Sequence, residues 1–333
     1  MKISAAFFKA VMAMVLGLSA LSSCDKDDEI AIVPPLDDNS RPSAAIVNII
    51  VTEKKDNTLR LKMDVAVFKD SRNMETQLKP DQFIIDTLRY GGIHAFKRGR
   101  FTLSGAQRLT NYSALMLMDQ SGSISGTDPR DYRLDAAKTF CSNLGSGNQV
   151  VLWSFKSSIY TAYGNGFTND TASVIAQIEA LRNKEGGSTP LYKSQVAATD
   201  YCSANGTAAG KAVLAFTDGG DTEGGYTPEQ VAANAVAKKV RLFNIGLGNA
   251  ETVKLCRQAV ATGGAFMFAK DARQLISMFG NLGKLLDGSA RFYQTEWQIT
   301  RQNNFTSGNL SHELRILLPY GEEELRVPFS VDY

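Results

Sequence analysis

Between residues 112 and 287, continuous apolar runs alternate with segments of helical period, and this alternation constrains the fold more than any other feature of the chain. The apolar runs are residues 113–118, 149–155, 212–217, 240–245 and 265–268. Helical patterns lie between and after them, over residues 130–144, 171–182, 190–203, 228–239, 252–261 and 272–286. Apolar strands joined by helices are typical of a parallel sheet that helices cover on both faces. The pattern therefore predicts an α/β fold, a doubly wound and mostly parallel sheet, over residues 112–287.

The segments on either side of this domain have strand patterns and no long helical period. Residues 43–111 contain apolar runs or period-two alternation, and three more candidate strands follow residue 288. Three strands alone bury little core. We therefore predict that residues 288–333 complete a small β-sandwich begun by residues 43–111, with the α/β domain inserted between its two parts. An independent C-terminal hairpin is the alternative.

The first 23 residues are predicted to be a lipoprotein signal peptide. Lys2 and Lys9 precede an apolar run over residues 10–21, which as a helix spans about 18 Å, less than a bilayer core of about 30 Å. The run ends in Leu21-Ser22-Ser23-Cys24, which resembles the lipobox of bacterial lipoproteins. That resemblance implies that Cys24 is lipidated and becomes the first mature residue, so that acyl chains anchor the protein to the membrane. An ordinary cleavable peptide or a short anchor is the alternative.

Residues 24–42 are acidic and contain prolines, which predicts an extended, solvated tether. The run Lys26-Asp27-Asp28 resembles surface-export tags of outer-membrane lipoproteins in some Gram-negative bacteria. The resemblance implies an extracytoplasmic protein that is anchored to the outer membrane and exposed at the cell surface. A plain spacer, with the protein on the periplasmic side, is the alternative.

Charge and residue inventory exclude several classes of protein. The chain has 36 Lys and Arg against 34 Asp and Glu, and two of the lysines lie in the leader, so the mature charges balance and nucleic-acid binding is not expected. Only His94 and His312 are present, which excludes a zinc site built from several histidines. The remaining cysteines, Cys141, Cys202 and Cys256, have no CxxC spacing. Buried free thiols are expected, and a disulfide between two of the three is the alternative.

The residues that carry chemistry follow the first apolar strand of the α/β domain, in the segment Asp119-Gln120-Ser121-Gly122-Ser123. Ligands of doubly wound sheets bind outside the carboxyl ends of the strands. Asp119, Ser121 and Ser123 would present one carboxylate and two hydroxyls there, and such hard oxygen donors suit Mg²⁺. A helix N-cap network at a strand-to-helix turn is the alternative.

This segment, with two others farther along the chain, resembles the von Willebrand factor A-type domain and its metal-ion-dependent adhesion site. The second segment is Gly186-Gly187-Ser188-Thr189, and the third ends a strand with Asp218. The resemblance covers residues 112–287 and implies a Rossmann-like fold. It also implies a divalent cation, Mg²⁺ or else Mn²⁺ or Ca²⁺, held by Asp119, Ser121, Ser123, Thr189 and Asp218. Because Ser188 is an extra residue relative to the family pattern, Ser188 competes with Thr189 for the ligand position, which we assign to Thr189.

The resemblance further implies that the cation captures a Glu or Asp carboxylate of a partner protein. We therefore predict a lipid-anchored adhesion or binding protein and not an enzyme. A metal-assisted hydrolase is a weaker alternative, because no histidine or evident general base accompanies the motif. A scaffold that binds its partners without metal is the other alternative. Asp221 and Glu223 are predicted to form either an acidic rim beside the site or an ordinary solvated loop.

Overall fold

The computed structural model describes residues 41–89, 94–105, 110–157, 159–320 and 324–333. The predicted signal peptide, Cys24 and most of the acidic tether lie outside the described residues. The strands are β1 (Ser43–Lys55), β2 (Thr58–Phe68), β3 (Phe83–Ile84), β4 (Ala95–Leu103), β5 (Tyr112–Asp119), β6 (Gln149–Lys156), β7 (Ile159–Ala162), β8 (Gly210–Thr217), β9 (Arg241–Leu247), β10 (Ala265–Ala269), β11 (Tyr293–Thr300), β12 (Asn309–Leu317) and β13 (Glu324–Asp332). The helices are α1 (Ile124–Thr127), α2 (Tyr132–Ser142), α3 (Thr171–Glu179), α4 (Leu191–Asn205), α5 (Pro228–Ala237), α6 (Thr252–Ala261) and α7 (Gln274–Asp287), with a 3₁₀ turn at Pro80–Gln82.

Ten strands form one sheet in the order β4-β11-β2-β1-β10-β9-β8-β5-β6-β7. The strands from β10 to β6 in this order run parallel to their neighbours, and β7 is an antiparallel edge strand. The predicted α/β fold with a mostly parallel sheet is confirmed. The flanking strands pair antiparallel and extend the same sheet, because β1 pairs with β10, where Ala45 lies opposite Met267.

Three further strands form a small antiparallel sheet in the order β13-β12-β3. Apolar side chains of this sheet, including Leu314 and Val327, are buried in the same core as Leu61 and Trp297 of the large sheet. Segments before and after the α/β part of the chain are joined by the pairing of β11 with both β2 and β4. The two sheets therefore enclose a common apolar layer built from both ends of the described chain.

Strand β5 shows why the α/β part folds as it does, since all eight of its residues are buried. Leu115 and Leu117 belong to one apolar core, whereas Ala114, Met116 and Met118 belong to another. Alternate side chains of a strand point to opposite faces, so β5 has a core on each face of the sheet. The last helix, α7, ends at Gly288, whose φ of 85° is a left-handed cap that glycine adopts without strain.

The three cysteines within the described ranges, Cys141, Cys202 and Cys256, are free and buried. The sequence does not decide whether two of these cysteines form a disulfide, and in the structure none of the three does. Over the part of the chain that the structure describes, no helix has both the length and the apolar character needed to cross a membrane.

Candidate functional site

Three loops meet at the carboxyl end of the parallel strands. Loop 1 is residues 119–123 and follows β5, loop 2 is residues 185–190 and precedes α4, and loop 3 is residues 218–223 and follows β8. Strands β5 and β8 are parallel neighbours with Met118 opposite Phe216, so loops 1 and 3 leave the sheet side by side. This edge is where doubly wound sheets place their ligands.

Side-chain hydrogen bonds join loop 1 to loop 3. The Ser123 hydroxyl donates to Asp218 Oδ1 at 2.7 Å, and the Thr217 hydroxyl donates to Asp119 Oδ2 at 2.7 Å. Ser121 contributes its backbone N–H to Asp119 Oδ1 at 2.8 Å, and its Oγ lies 3.2 Å from that of Ser123. Both aspartates are almost wholly buried, at 0% and 1% exposure. Two buried carboxylates therefore lie within one network of hydroxyl groups.

Backbone hydrogen bonds join loop 1 to loop 2. Gly122 N donates to Gly187 O at 3.0 Å, and Gly186 N donates to Gln120 O at 2.9 Å. Gly187 has a φ of 79°, and a Cβ placed there would lie 1.8 Å from the Ser157 Oγ. Glycine is therefore the residue that fits at this position without displacing Ser157, which follows β6 and donates its N–H to Ser188 O of loop 2.

Loop 2 is joined in turn to loop 3. Thr189 N donates to the Thr222 hydroxyl at 2.8 Å, and Thr222 N donates to Thr189 O at 3.0 Å. The Ser188 hydroxyl donates to the Glu223 carboxylate. In contrast, the Thr189 hydroxyl makes no hydrogen bond to the residues that the structure describes. The three sequence segments thus form one connected group of loops, in which Ser188 and Thr189 have different side-chain partners.

Asp119 and Asp218 are both buried, and the negative charges of their carboxylates repel each other. Burial is the main reason that the pKa of Asp119 is raised to about 6. The negative charge of Asp218 acts in the same direction on this pKa, whereas hydrogen bonds from Ser121 and Thr217 lower it. A divalent cation would offset both charges, and the carboxylate and hydroxyl oxygens are donors that Mg²⁺ accepts. Within the described ranges, no group of three or more His, Cys, Asp or Glu is placed to hold a metal ion. The oxygens that loops 1 and 3 bring together here belong to two carboxylates and to neutral hydroxyl groups.

Asp221 and Glu223 hold the loops together. The Asp221 carboxylate accepts hydrogen bonds from Tyr192 N at 3.0 Å and from Gly224 N at 2.7 Å, so it satisfies a backbone donor in the first turn of α4. The bond between Glu223 and Ser188 adds a second link. Both acidic residues therefore have hydrogen-bond partners close by, in loop 2, at the start of α4 and at Gly224, which directly follows loop 3.

Sequence reasoning missed Thr127, whose hydroxyl donates to Asp218 Oδ2. It also missed Arg133 of α2, which is fully buried. The Arg133 guanidinium is bonded to Asp131 at 2.6 Å and to Asp128 at 3.2 Å, and it also pairs with Glu185 at the start of loop 2. A sequence signal existed, because Arg133 shares a helical face with the buried Ala137 and Phe140.

Arg133 also reaches loop 1. Its Nη2 lies 3.4 Å from Gln120 Oε1, a long hydrogen bond. One buried guanidinium therefore contacts Gln120 of loop 1 and Glu185 of loop 2, the two loops that are bonded to each other through their backbones. We refer to Arg133, Asp128, Asp131 and Glu185 as the arginine cluster.

The fold and this edge define a doubly wound α/β domain with a candidate cation site at the carboxyl ends of its strands. The chain belongs to the von Willebrand factor type A domain family, whose model matches residues 115–281. A search among curated proteins finds no match.

Several solved structures are similar to this chain at low identity. Proximal thread matrix protein 1 from the mussel byssus is 18% identical over 60% of this chain and 50% of its own, with a TM-score of 0.46. This chain therefore spans half of that protein's length. The pilus adhesin SpaC from Lactobacillus rhamnosus GG is 12% identical over 87% of this chain and 48% of its own, with a TM-score of 0.43. The corresponding domain of the type V pili tip protein Mfa5 from Porphyromonas gingivalis is 13% identical over 54% of this chain and 95% of its own, with a TM-score of 0.41.

Proposed function

We propose that this protein is an extracytoplasmic adhesion or binding protein that captures a partner's carboxylate through a divalent cation. One observation carries the proposal: three loops from distant parts of the chain are hydrogen-bonded into one group around the buried carboxylates of Asp119 and Asp218. A helix cap would account for loop 1 alone. It would not account for the bonds that bring loops 2 and 3 to the same place.

The residues that would hold the cation are Asp119, Ser121, Ser123, Thr189 and Asp218. The two carboxylates would offset the charge of the cation, and the hydroxyls would add neutral oxygens. Thr189 is the better candidate in loop 2, because the Ser188 hydroxyl is already bonded to Glu223. Mg²⁺ takes six oxygens at about 2.0–2.1 Å, and Mn²⁺ or Ca²⁺ could replace it. When bound, the ion supplies a Lewis acid that accepts an oxygen from an incoming Glu or Asp side chain.

A hydrolase is the weaker alternative, because no described feature favours it. Neither histidine lies in loops 1 to 3. The His94 ring lies 6.1 Å from the Phe305 ring, tilted by 49°, and His312 Nε2 lies within hydrogen-bond distance of Asp86 O. The two acidic residues of loop 3 that follow Asp218 are already bonded, Asp221 to Tyr192 N of α4 and Glu223 to the Ser188 hydroxyl. General-base catalysis needs a group within hydrogen-bond reach of the reacting proton. Turnover of generic phosphate and carboxylate esters, abolished by Asp119→Ala, would favour the hydrolase instead.

Anchoring through Cys24 is part of the same proposal. The lipobox-like segment, residues 21–24, and the acidic tether that follows support attachment to the outer membrane with the binding domain held away from it. Labelling with a radioactive fatty acid in a bacterial host tests this point. Incorporation that is lost in Cys24→Ala supports the anchor, and unchanged incorporation contradicts it.

The binding function is tested by capture of partners from envelope and matrix extracts in Mg²⁺ and in chelator. We expect captured proteins to require Mg²⁺ and to be lost with Asp119→Ala and with Asp218→Ala. Asp81→Ala is the matched control, because Asp81 is exposed and lies outside the three loops. Equal capture in chelator and in both variants would favour a metal-independent scaffold.

A further inference from the structure

A large groove lies beside the candidate cation site. Its volume is about 1260 Å³, above the roughly 300–1,000 Å³ typical of small-molecule pockets. Thr127, which donates to Asp218, is one of its lining residues. Residues 129, 130, 132 and 270–274 also line it, and β1, β10 and the small sheet contribute Ala44, Phe268 and Leu325. The groove therefore connects the cation site to strands outside the region that the family model matches, and we call it the strand-edge groove.

The side chains that line the strand-edge groove carry a net positive charge, because five of them are basic and three are acidic. Its basic lining residues are Arg41, Arg130, Lys270, Arg273 and Arg326, and its acidic ones are Asp271, Glu313 and Glu324. Every one of these acids is paired with an arginine of the groove: Asp271 with Arg273, and the two glutamates with Arg326.

Two of the basic side chains have no such partner. Arg130 and Lys270 are exposed and make no ion pair with the residues described. The groove thus presents two uncompensated cations next to a site suited to a carboxylate ligand. Such a surface attracts an acidic partner.

One wall of the groove is an edge strand. Residues 324–327 of β13 line it, and β13 is paired only with β12 in the small sheet. Backbone hydrogen bonds from this stretch go to β12 and to no other strand in the described ranges. An edge strand offers N–H and C=O groups to an extended peptide, a common mode of peptide recognition. This backbone edge favours a peptide over an anionic polysaccharide, which could use the cations but lacks a complementary main chain.

We infer that the strand-edge groove binds an extended, acidic segment of the partner protein whose carboxylate the cation site captures. Arg130 and Lys270 pair with acidic side chains of that segment, and β13 bonds to its backbone. This inference rests on the proposed function, because carboxylate capture at the cation site is what places the partner beside the groove. What it adds is the kind of partner segment that binds: a stretch with several acidic residues and not a single Glu or Asp.

Fluorescence anisotropy with two labelled peptides on the full chain tests the inference. The first probe carries one Glu among glycines, and the second is a ten-residue extended peptide with five Asp or Glu residues. We expect Arg130→Gln/Lys270→Gln to weaken binding of the five-acid probe about tenfold at low salt, since two exposed ion pairs are lost at up to about 1 kcal/mol each. Binding of the one-acid probe should change less than twofold. The matched control is Lys55→Gln/Arg89→Gln, which removes the same charge from exposed positions outside the groove.

Measurements in Mg²⁺ and in chelator separate this inference from the proposed function. If neither probe depended on Mg²⁺ for binding, the proposed function would be contradicted. The effect of the double variant on binding of the five-acid probe would still test the groove. Equal affinity of the double variant and the control for that probe would overturn the inference. So would tighter binding of polyglucuronate than of the five-acid peptide. Stronger peptide binding after deletion of residues 25–38 would show that the chain's own acidic tether is the occupant, and would overturn the assignment to a partner.

Discussion

The Ser123 hydroxyl donates a 2.7 Å hydrogen bond to the Asp218 carboxylate across 95 positions of sequence. Asp218 also accepts from Thr127, so its two oxygens are bonded to the two ends of one short stretch, Ser123 to Thr127. Loops 1 and 3 are therefore held together by side chains of the protein itself. Organisation of this kind lowers the entropy that a ligand must offset when it binds.

Mg²⁺ should stabilise the folded chain if the cation site exists. A ligand that binds only the native state adds about 2.7 kcal/mol at a concentration 100 times its dissociation constant. For a chain of this size the thermal midpoint should rise by about 5 °C. Differential scanning fluorimetry measures the shift, with NaCl at equal ionic strength as the salt control. A shift of the same size in Asp119→Ala/Asp218→Ala would contradict the site.

The two hydroxyls of loop 2 should contribute differently to cation binding. Thr189→Ala removes the proposed ligand oxygen and should weaken Mg²⁺ binding at least tenfold by titration calorimetry. Ser188→Ala removes only the bond to Glu223, so it should alter Mg²⁺ affinity by less than threefold. The reverse order would assign Ser188 as the ligand and correct the register of the motif.

Residue patterns predict the main features of the site for physical reasons. Parallel strands bring their carboxyl ends to one edge, so a strand that ends in Asp119 and another followed by Asp218 are expected to meet there. The apolar run of β5 also predicts burial on both faces, and the structure confirms this with a core on each side.

Other features depend on tertiary context that the sequence does not display. The pairing of β1 with β10 joins residues more than two hundred positions apart, and nothing in either strand distinguishes this neighbour from another. Strand β7 has four residues, too few for a periodic signal. By its spacing Arg133 falls on the buried face of α2, but its charge favours a solvent-exposed position. The carboxylates from three separate positions that neutralise it are brought together only by the fold.

Gly187→Ala should displace residue 187 from Ser157 and thereby weaken the hydrogen bond that Gly187 O accepts from Gly122 N of loop 1. The new Cβ would lie 1.8 Å from Ser157 Oγ, and a φ of 79° adds backbone strain of about 1–2 kcal/mol. Gly225→Ala is the matched control, since Gly225 has a φ of 91° but a Cβ added there would have nothing within 4 Å. We expect both variants to lower the free energy of unfolding, and only Gly187→Ala to weaken Mg²⁺ binding. Equal Mg²⁺ affinity in the two variants would mean that this loop contact does not support the site.

Arg133→Met should destabilise the protein strongly, because it leaves the fully buried Asp128 carboxylate without a cation and removes the partner of the half-buried Glu185. Breaking a buried ion pair by removing one partner costs about 3–5 kcal/mol. Arg182→Met is the comparison: Arg182 also pairs with Asp131, but its side chain is 30% exposed, and exposed pairs contribute about 0–1 kcal/mol. Urea unfolding measures both changes. If the cluster also positions loops 1 and 2, Arg133→Met will weaken Mg²⁺ binding under conditions where the variant is still folded, whereas Arg182→Met will not. A large stability loss with unchanged Mg²⁺ affinity would restrict Arg133 to a structural role, because the bonds of the loops to one another would then suffice to hold Asp119 and Asp218 in place.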